Sequence, residues 1–202
     1  MSRFVPATLL LITMAAPPAI AQRIAGAESR VAPPAPVALD TTGMFQARFA
    51  QVGDDMFIGG QPTERALRDM KARGVTTVVN LRSPEEMARV GFDEAALVRS
   101  LGMEYVHLPM RGTAELPYSP EAVTSLRDAM RASEGKVLLH CTIAWRASHL
   151  WAAYLIQERG VPAATALAHA RAINLMDERR MDRGGPPVEL FLGRKLEELG
   201  RP

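Results

Sequence analysis

Cys141, the only cysteine of this 202-residue chain, stands directly after His140 and five positions before Arg146. The apolar run Lys136-Val137-Leu138-Leu139-His140 reads as a buried strand, and the stretch from Arg146 to Arg159 reads as a helix. Cys141 and Arg146 then flank a strand-to-helix turn. Backbone N–H groups converge at such a turn, and the positive end of the helix dipole points into it. That setting favours a thiolate and holds an anion, so it suits a nucleophile attacking a phosphorylated or otherwise oxyanionic substrate. The alternative is a buried structural cysteine, since free cysteine packs as a small hydrophobe. A lone cysteine closes no internal disulfide.

The other candidates are weaker. Arg82 ends a second strand on the same edge as Cys141, because parallel strands share one C-terminal side. It reads either as a second anion contact or as a salt-bridge partner of Glu85 or Glu86. His107, His149 and His169 show no metal-ligand spacing with one another or with Cys141, so no metal and no cofactor are expected. Trp145 walls a pocket or simply packs, and Trp151 reads as core.

The elements that must place these residues alternate. Met56-Phe57-Ile58 is a short strand ending at Gly59-Gly60, and Thr63 caps a helix running to Arg73, with Gly74 beyond it. Val75 to Leu81 is β-branched and nearly continuously apolar, as a strand buried on both faces must be. Ser83-Pro84-Glu85-Glu86 combines an N-cap, a proline at the first helical position and a capping-box glutamate. The helix it opens breaks at Gly91 and resumes from Asp93 to Ser100. Met103 to Met110 is a third strand. Ser119-Pro120 starts a helix with Val123, Leu126 and Met130 inward, and further helices begin at Pro162 and after Pro186-Pro187, the last carrying Leu192, Leu196 and Leu199. Strands alternating with helices predict an α/β fold: a parallel sheet flanked by helices on both faces.

The ends of the chain carry their own expectations. Arg3, the apolar stretch Phe4 to Ala16 and the small-x-small pattern Ala19-Ile20-Ala21 have the layout of a secretory signal peptide cleaved after Ala21. The apolar stretch is too short for a membrane span, so no stable membrane insertion is expected after cleavage. A periplasmic or secreted location follows. Residues 22–40, rich in Ala and Pro, read as an exposed tether, and residues 41–202 as one domain. The formal net charge of +2 falls to +1 without Arg3, too small for a nucleic-acid footprint. Asp177 to Arg183 is a mixed-charge run that reads as a solvated helix end or loop.

The segment His140-Cys141-Thr142-Ile143-Ala144-Trp145-Arg146 resembles the phosphate-binding loop of cysteine-dependent phosphatases. With Phe57-Ile58-Gly59-Gly60-Gln61-Pro62 and Val75-Thr76-Thr77-Val78-Val79-Asn80-Leu81-Arg82, the chain is similar to a bacterial dual-specificity/tyrosine-phosphatase-like family that also occurs as a domain of beta-lactamase hydrolase-like proteins. The similarity runs from about Phe57 to Leu175. It implies a cysteine-phosphatase-like fold, Cys141 as the nucleophile of a phosphocysteine intermediate, and Arg146 as a bidentate phosphate ligand. The N–H groups of Thr142, Ile143, Ala144, Trp145 and Arg146 would form the cradle, His140 would orient the loop, and the substrate would be a phosphorylated protein or small molecule. A general acid is expected on the loop after the third strand, where Glu115 is the one carboxylate. Three features depart from the commonest pattern. Four residues, not five, separate Cys141 from Arg146, a spacing shared with rhodanese-type sulfurtransferases. The loop also lacks a glycine, and Ala147 stands where a hydroxyl often assists, leaving Thr142 or Ser148 to substitute. A sulfurtransferase and an inactive phosphate-binding module are therefore the competing readings.

Overall fold

The computed structural model describes residues 32–175 and 186–199. The proposed signal segment, the first part of the tether and the Asp177–Arg183 run lie outside the described residues.

Six strands form one sheet in the order β1-β2-β3-β6-β4-β5. The four strands β3 (Met56–Gly59), β6 (Lys136–His140), β4 (Val75–Asn80) and β5 (Glu104–His107) pair in parallel. They are the four strands expected from the apolar runs, and their C-terminal ends share one edge. Alternation along them divides the core in two. Ile58, Val79, Val137 and Leu139 face one cluster, and Phe57, Val78 and Leu138 face the other. Helices α4 (Pro120–Ala132), α5 (Trp145–Gln157), α6 (Ala163–Ile173) and α7 (Pro187–Leu192) cover the first face. Helices α1 (Glu64–Ala72) and α3 (Glu94–Ser100) cover the second. The short helix α2 (Pro84–Met87) sits past the end of β4. Every residue of α5 from Arg146 to Ile156 is buried, which makes it the central helix of its layer.

The local signals act as their chemistry requires. Thr63 Oγ1 accepts from the Ala66 N–H at 3.2 Å, and Asp93 Oδ1 from the Ala96 N–H at 2.9 Å. Ser83 and Glu86 close a complete capping box. Ser119, by contrast, makes no side-chain cap bond.

Two expectations need correction. The stretch 22–40 is not wholly a tether: β1 (Val37–Ala38) pairs antiparallel with β2 (Phe49–Val52), which in turn pairs antiparallel with β3. Both β1 side chains are exposed, so backbone pairing alone makes the strand and side-chain pattern gives no sign of it. The last helix is also shorter than its leucine spacing predicts. Gly193, at φ +64°, ends α7, and Leu196–Glu198 form a separate 3-10 turn.

Candidate active site

Cys141 is the first residue past β6, and α5 begins at Trp145, so Cys141, Thr142, Ile143 and Ala144 are the whole of the connecting turn. Such a short turn must include one left-handed residue to redirect the chain, and Ala144 takes that role at φ +67°, ψ −1°. A left-handed alanine costs about 1 kcal/mol relative to glycine. Its methyl group is fully buried in the core beneath α5, which offsets that cost.

The Gly-Gly-Gln-Pro segment clamps the turn from the side. Gly60 bridges Ile143, the Gln61 N–H donates to the Thr142 carbonyl at 3.0 Å, and the Cys141 N–H donates to the Gly59 carbonyl at 3.3 Å. A β-carbon on Gly60 would lie 1.7 Å from the Gln46 carbonyl oxygen and 2.9 Å from that of Thr142, so only glycine allows this approach. From the far side, Asn174 Nδ2 donates to the Ile143 carbonyl. The first N–H groups of α5 have no acceptor within the helix and are directed at the turn.

A cavity of about 430 Å³ opens above the turn. Cys141, Thr142, Ile143, Trp145 and Arg146 all line it, joined by Glu86, Arg111 and Tyr118. Ala144 lies beneath the turn and does not reach the cavity. Tyr118 and Trp145 form an aromatic wall, their ring centroids 6.5 Å apart, with Tyr118 backed by Phe191 and Trp145 by His149.

Arg146 is held more firmly than its neighbours in sequence suggest. Nη1 donates to the Leu81 and Met110 carbonyls at 3.1 and 2.6 Å. Glu86 meets the fork of the guanidinium, with Oε2 accepting from Nη1 at 2.9 Å and Oε1 from Nη2 at 2.6 Å. Thr142 Oγ1 accepts from Nη2 at 3.0 Å and donates to Glu86 Oε1 at 2.8 Å. Nε–H is the guanidinium donor outside these bonds. Burial alone would raise the Glu86 pKa. The bonds from Arg146, the Ser83 N–H and Thr142 outweigh it and hold the carboxyl down at about 2. Glu86 is thus a fixed anion. Burial likewise disfavours charge on Arg146, but Glu86 and the nearby Cys141 sulfur more than compensate and raise its pKa. Tyr118 is pushed up to about 12, chiefly by burial, so it stays a neutral phenol.

Behind the turn runs a buried polar network. His140 Nε2 pairs with Glu94 Oε1 at 3.0 Å, and Asn80 Nδ2 donates to the same oxygen at 2.9 Å and to Tyr105 Oη at 2.8 Å. Gln61 Nε2 donates to Glu94 Oε2 at 2.5 Å. Burial raises the Glu94 pKa, but His140, Gln61 and Asn80 outweigh that and keep it low. His140 therefore acts as a strut below the cysteine and does not line the cavity.

The remaining candidates fall elsewhere. Glu115 is exposed and does not line the cavity. Its carboxyl is pulled low by its own N–H and by Thr113, the opposite of what a general acid needs. Its loop is folded on itself, with the Arg111 and Gly112 N–H groups donating to the Leu116 carbonyl. Of the two substitute hydroxyls, Ser148 Oγ donates to the Trp145 carbonyl at 2.8 Å within α5, and Thr142 alone faces the cavity. His107 Nε2 meets the Arg82 carbonyl at 2.7 Å, and His149 Nδ1 the Trp145 carbonyl at 2.7 Å. Trp151 is core. No group of three metal-ligating side chains occurs among the described residues. Glu86, Tyr118 and Arg111 were not legible as site residues. Glu86 already had a complete local role as a capping-box residue, and it fills that role too, accepting from the Ser83 N–H at 2.8 Å.

Comparison with known proteins agrees with this architecture. The P. aeruginosa protein TpbA has a crystal structure matching at a TM-score of 0.58, with 19% identity, over 82% of this chain and 93% of that one. A candidate phosphatase from Shewanella putrefaciens CN-32 matches at 0.56, with 26% identity, over 79% of this chain and 92% of that one. A beta-lactamase hydrolase-like protein of Xylella fastidiosa is 31% identical over 107 residues, which are 52% of this chain and 24% of the relative. The chain thus matches about a quarter of the length of that curated relative. The family model of the beta-lactamase hydrolase-like protein phosphatase-like domain matches residues 48–157, from β2 to the end of α5. The Gly60 clamp, the Cys141 turn and Arg146 fall inside that match, with Asn174 beyond its end, and the chain belongs to this family of phosphatase-like domains.

Proposed function

We propose that the protein is an exported, cysteine-dependent phosphatase that hydrolyses a phosphomonoester through a phosphocysteine intermediate. The observation that carries this reading is the convergence of Cys141, the N-terminus of α5 and an anchored Arg146 on one cavity. The Cys141 thiolate attacks phosphorus, the S–P bond forms as the P–O bond to the leaving group breaks, and water then cleaves the S–P bond to release phosphate and restore the thiolate. The α5 N–H groups and Arg146 stabilise the charge on the transferring group, with Glu86 holding the guanidinium in register.

Among the described residues, Glu86 is the one carboxylate lining the cavity, and it is held ionised. The leaving oxygen therefore takes its proton from water, which favours leaving groups that are stable as anions. Aryl phosphates fit this requirement, and the Tyr118–Trp145 wall suits an aromatic ring. The related structures are consistent with phosphorylated ligands: TpbA has been solved with pTyr and PTPMT1 with PI(5)P.

The test is turnover of nitrophenyl phosphate by the purified protein, beside thiosulfate with cyanide as the sulfur-transfer assay. Hydrolysis that vanishes in Cys141→Ser and weakens in Arg146→Lys supports the proposal. Sulfur transfer through Cys141 without hydrolysis overturns it. Glu115→Gln is expected to lose no more activity on an alkyl phosphate than on an aryl one. Export is tested separately, by sequencing the N-terminus of protein from its native cells, which is expected to begin at or near Gln22.

A further inference from the structure

A second cavity, of about 690 Å³, shares no lining residue with the first and lies between the start of α1 and the segment following α2. Its charged lining comprises Arg65, Arg82, Arg89 and Glu64, a formal +2. Phe45 and Phe92 supply apolar surface.

Arg82 distinguishes this cavity from an ordinary basic groove. It is 7% exposed, yet no carboxylate among the described residues pairs with it. Nη1 donates to the Gln61 side-chain carbonyl at 2.5 Å and Nη2 to the Glu86 backbone carbonyl at 2.9 Å. Nε is buried with no acceptor among the described residues. The two nearest carboxylates are engaged elsewhere: Glu86 with Arg146, Thr142 and Ser83, and Glu94 with His140, Asn80 and Gln61. Burying a cation without a paired anion is costly, and so is burying an N–H without an acceptor. The cost of the unpaired charge is relieved by an anion entering from the cavity that Arg82 lines.

We propose that this cavity is a second anion-binding site, in which Arg82 makes the inner contact and Arg65 and Arg89 the outer ones. The ligand is a phosphate or carboxylate group on a body with an apolar face, which meets Phe45 and Phe92. This site does not depend on turnover at Cys141.

Inorganic phosphate titrated into the ¹⁵N-labelled protein tests it, with the Arg82 Nε–H and the Arg65 amide reporting the second site and the Thr142–Trp145 amides reporting the first. Two saturable sets with separate midpoints are expected. In the Arg65→Gln/Arg89→Gln double variant, both changes being at exposed positions, the Arg82 midpoint is expected to rise about tenfold while the first set is unchanged. An Arg82 signal that never saturates, that follows the Thr142–Trp145 midpoint, or that ignores the double variant overturns the proposal. Substrates then identify the source of the anion. A raised KM in the double variant for a bis-phosphorylated aryl substrate, but not for nitrophenyl phosphate, assigns the site to a second group of the substrate. Unchanged KM values for both, with weakened phosphate binding at Arg82, assign it to a separate effector.

Discussion

Arg146 and Arg82 are two nearly buried arginines at the same sheet edge that line different cavities, and they are satisfied very differently. Arg146 has a bidentate carboxylate, two backbone carbonyls and a hydroxyl. Arg82 has one amide oxygen and one backbone carbonyl, and its Nε–H has no acceptor among the described residues. Glu86 accounts for the asymmetry, since its carboxylate serves Arg146 and only its backbone carbonyl serves Arg82. A saturated arginine is a rigid fixture that presents one remaining donor edge to a substrate. An undersatisfied one is a latent contact, stabilised by whatever anion arrives.

The sharpest way to break this comparison is to remove each arginine in turn. Arg146→Met strands the Glu86 carboxylate and two carbonyls, and is expected to cost about 3–5 kcal/mol in urea unfolding. Arg82→Met strands only two neutral acceptors and is expected to cost about 1–2 kcal/mol. Equal losses would mean that Arg82 is as fully integrated as Arg146.

Acid is expected to act first on the Arg146 side. His149, fully buried on the same helix, has its pKa lowered from 6.5 to about 4 by burial, against the bond to the Trp145 carbonyl. Between those values the unfolded chain holds a proton that the folded chain does not. The His149 contribution to stability therefore falls as pH drops below about 6.5 and levels off below about 4, a total of about 3 kcal/mol. His149→Gln should flatten this phase. Glu86, lowered from 4.5 to about 2, contributes stability that is present above pH 4.5 and lost as pH falls toward 2, a second and lower phase.

Glu86→Gln sharpens the comparison from the other side. It replaces charged hydrogen bonds to Arg146 with neutral ones and is expected to cost about 2 kcal/mol and to shrink the lower acid phase, leaving the part that belongs to Glu94. An unchanged lower phase in that variant would assign it to another carboxylate. Ala144→Gly has the smallest expected effect. Relief of the left-handed backbone, about 1 kcal/mol, nearly cancels the lost buried methyl and the added chain entropy. A loss above about 2 kcal/mol would mean that methyl packing, and not backbone geometry, shapes the turn.

Much of the fold was legible because it is written locally. The Lys136–His140 run, the Val75 strand and the Thr63, Ser83 and Asp93 caps each depend on a handful of adjacent residues. β1 was not legible, because two exposed residues joined by backbone pairing leave no side-chain pattern. The absence of a glycine from the turn was legible, and burial of the Ala144 methyl explains how alanine takes the left-handed position there. Glu115 was the natural acid by its place in the chain, but its loop bonds to itself and leaves it outside the cavity.

The sequence by itself determined the nucleophile candidate, the arginine that follows it and the parallel sheet that presents both at one edge. These depend on contacts within one strand, one turn and one helix. Only the tertiary structure decided which groups complete them. Glu86 lies 60 positions from Arg146, and Glu94 lies 46 from His140. Pairings of that separation are set by how parallel strands stack their ends, and no local spacing encodes them.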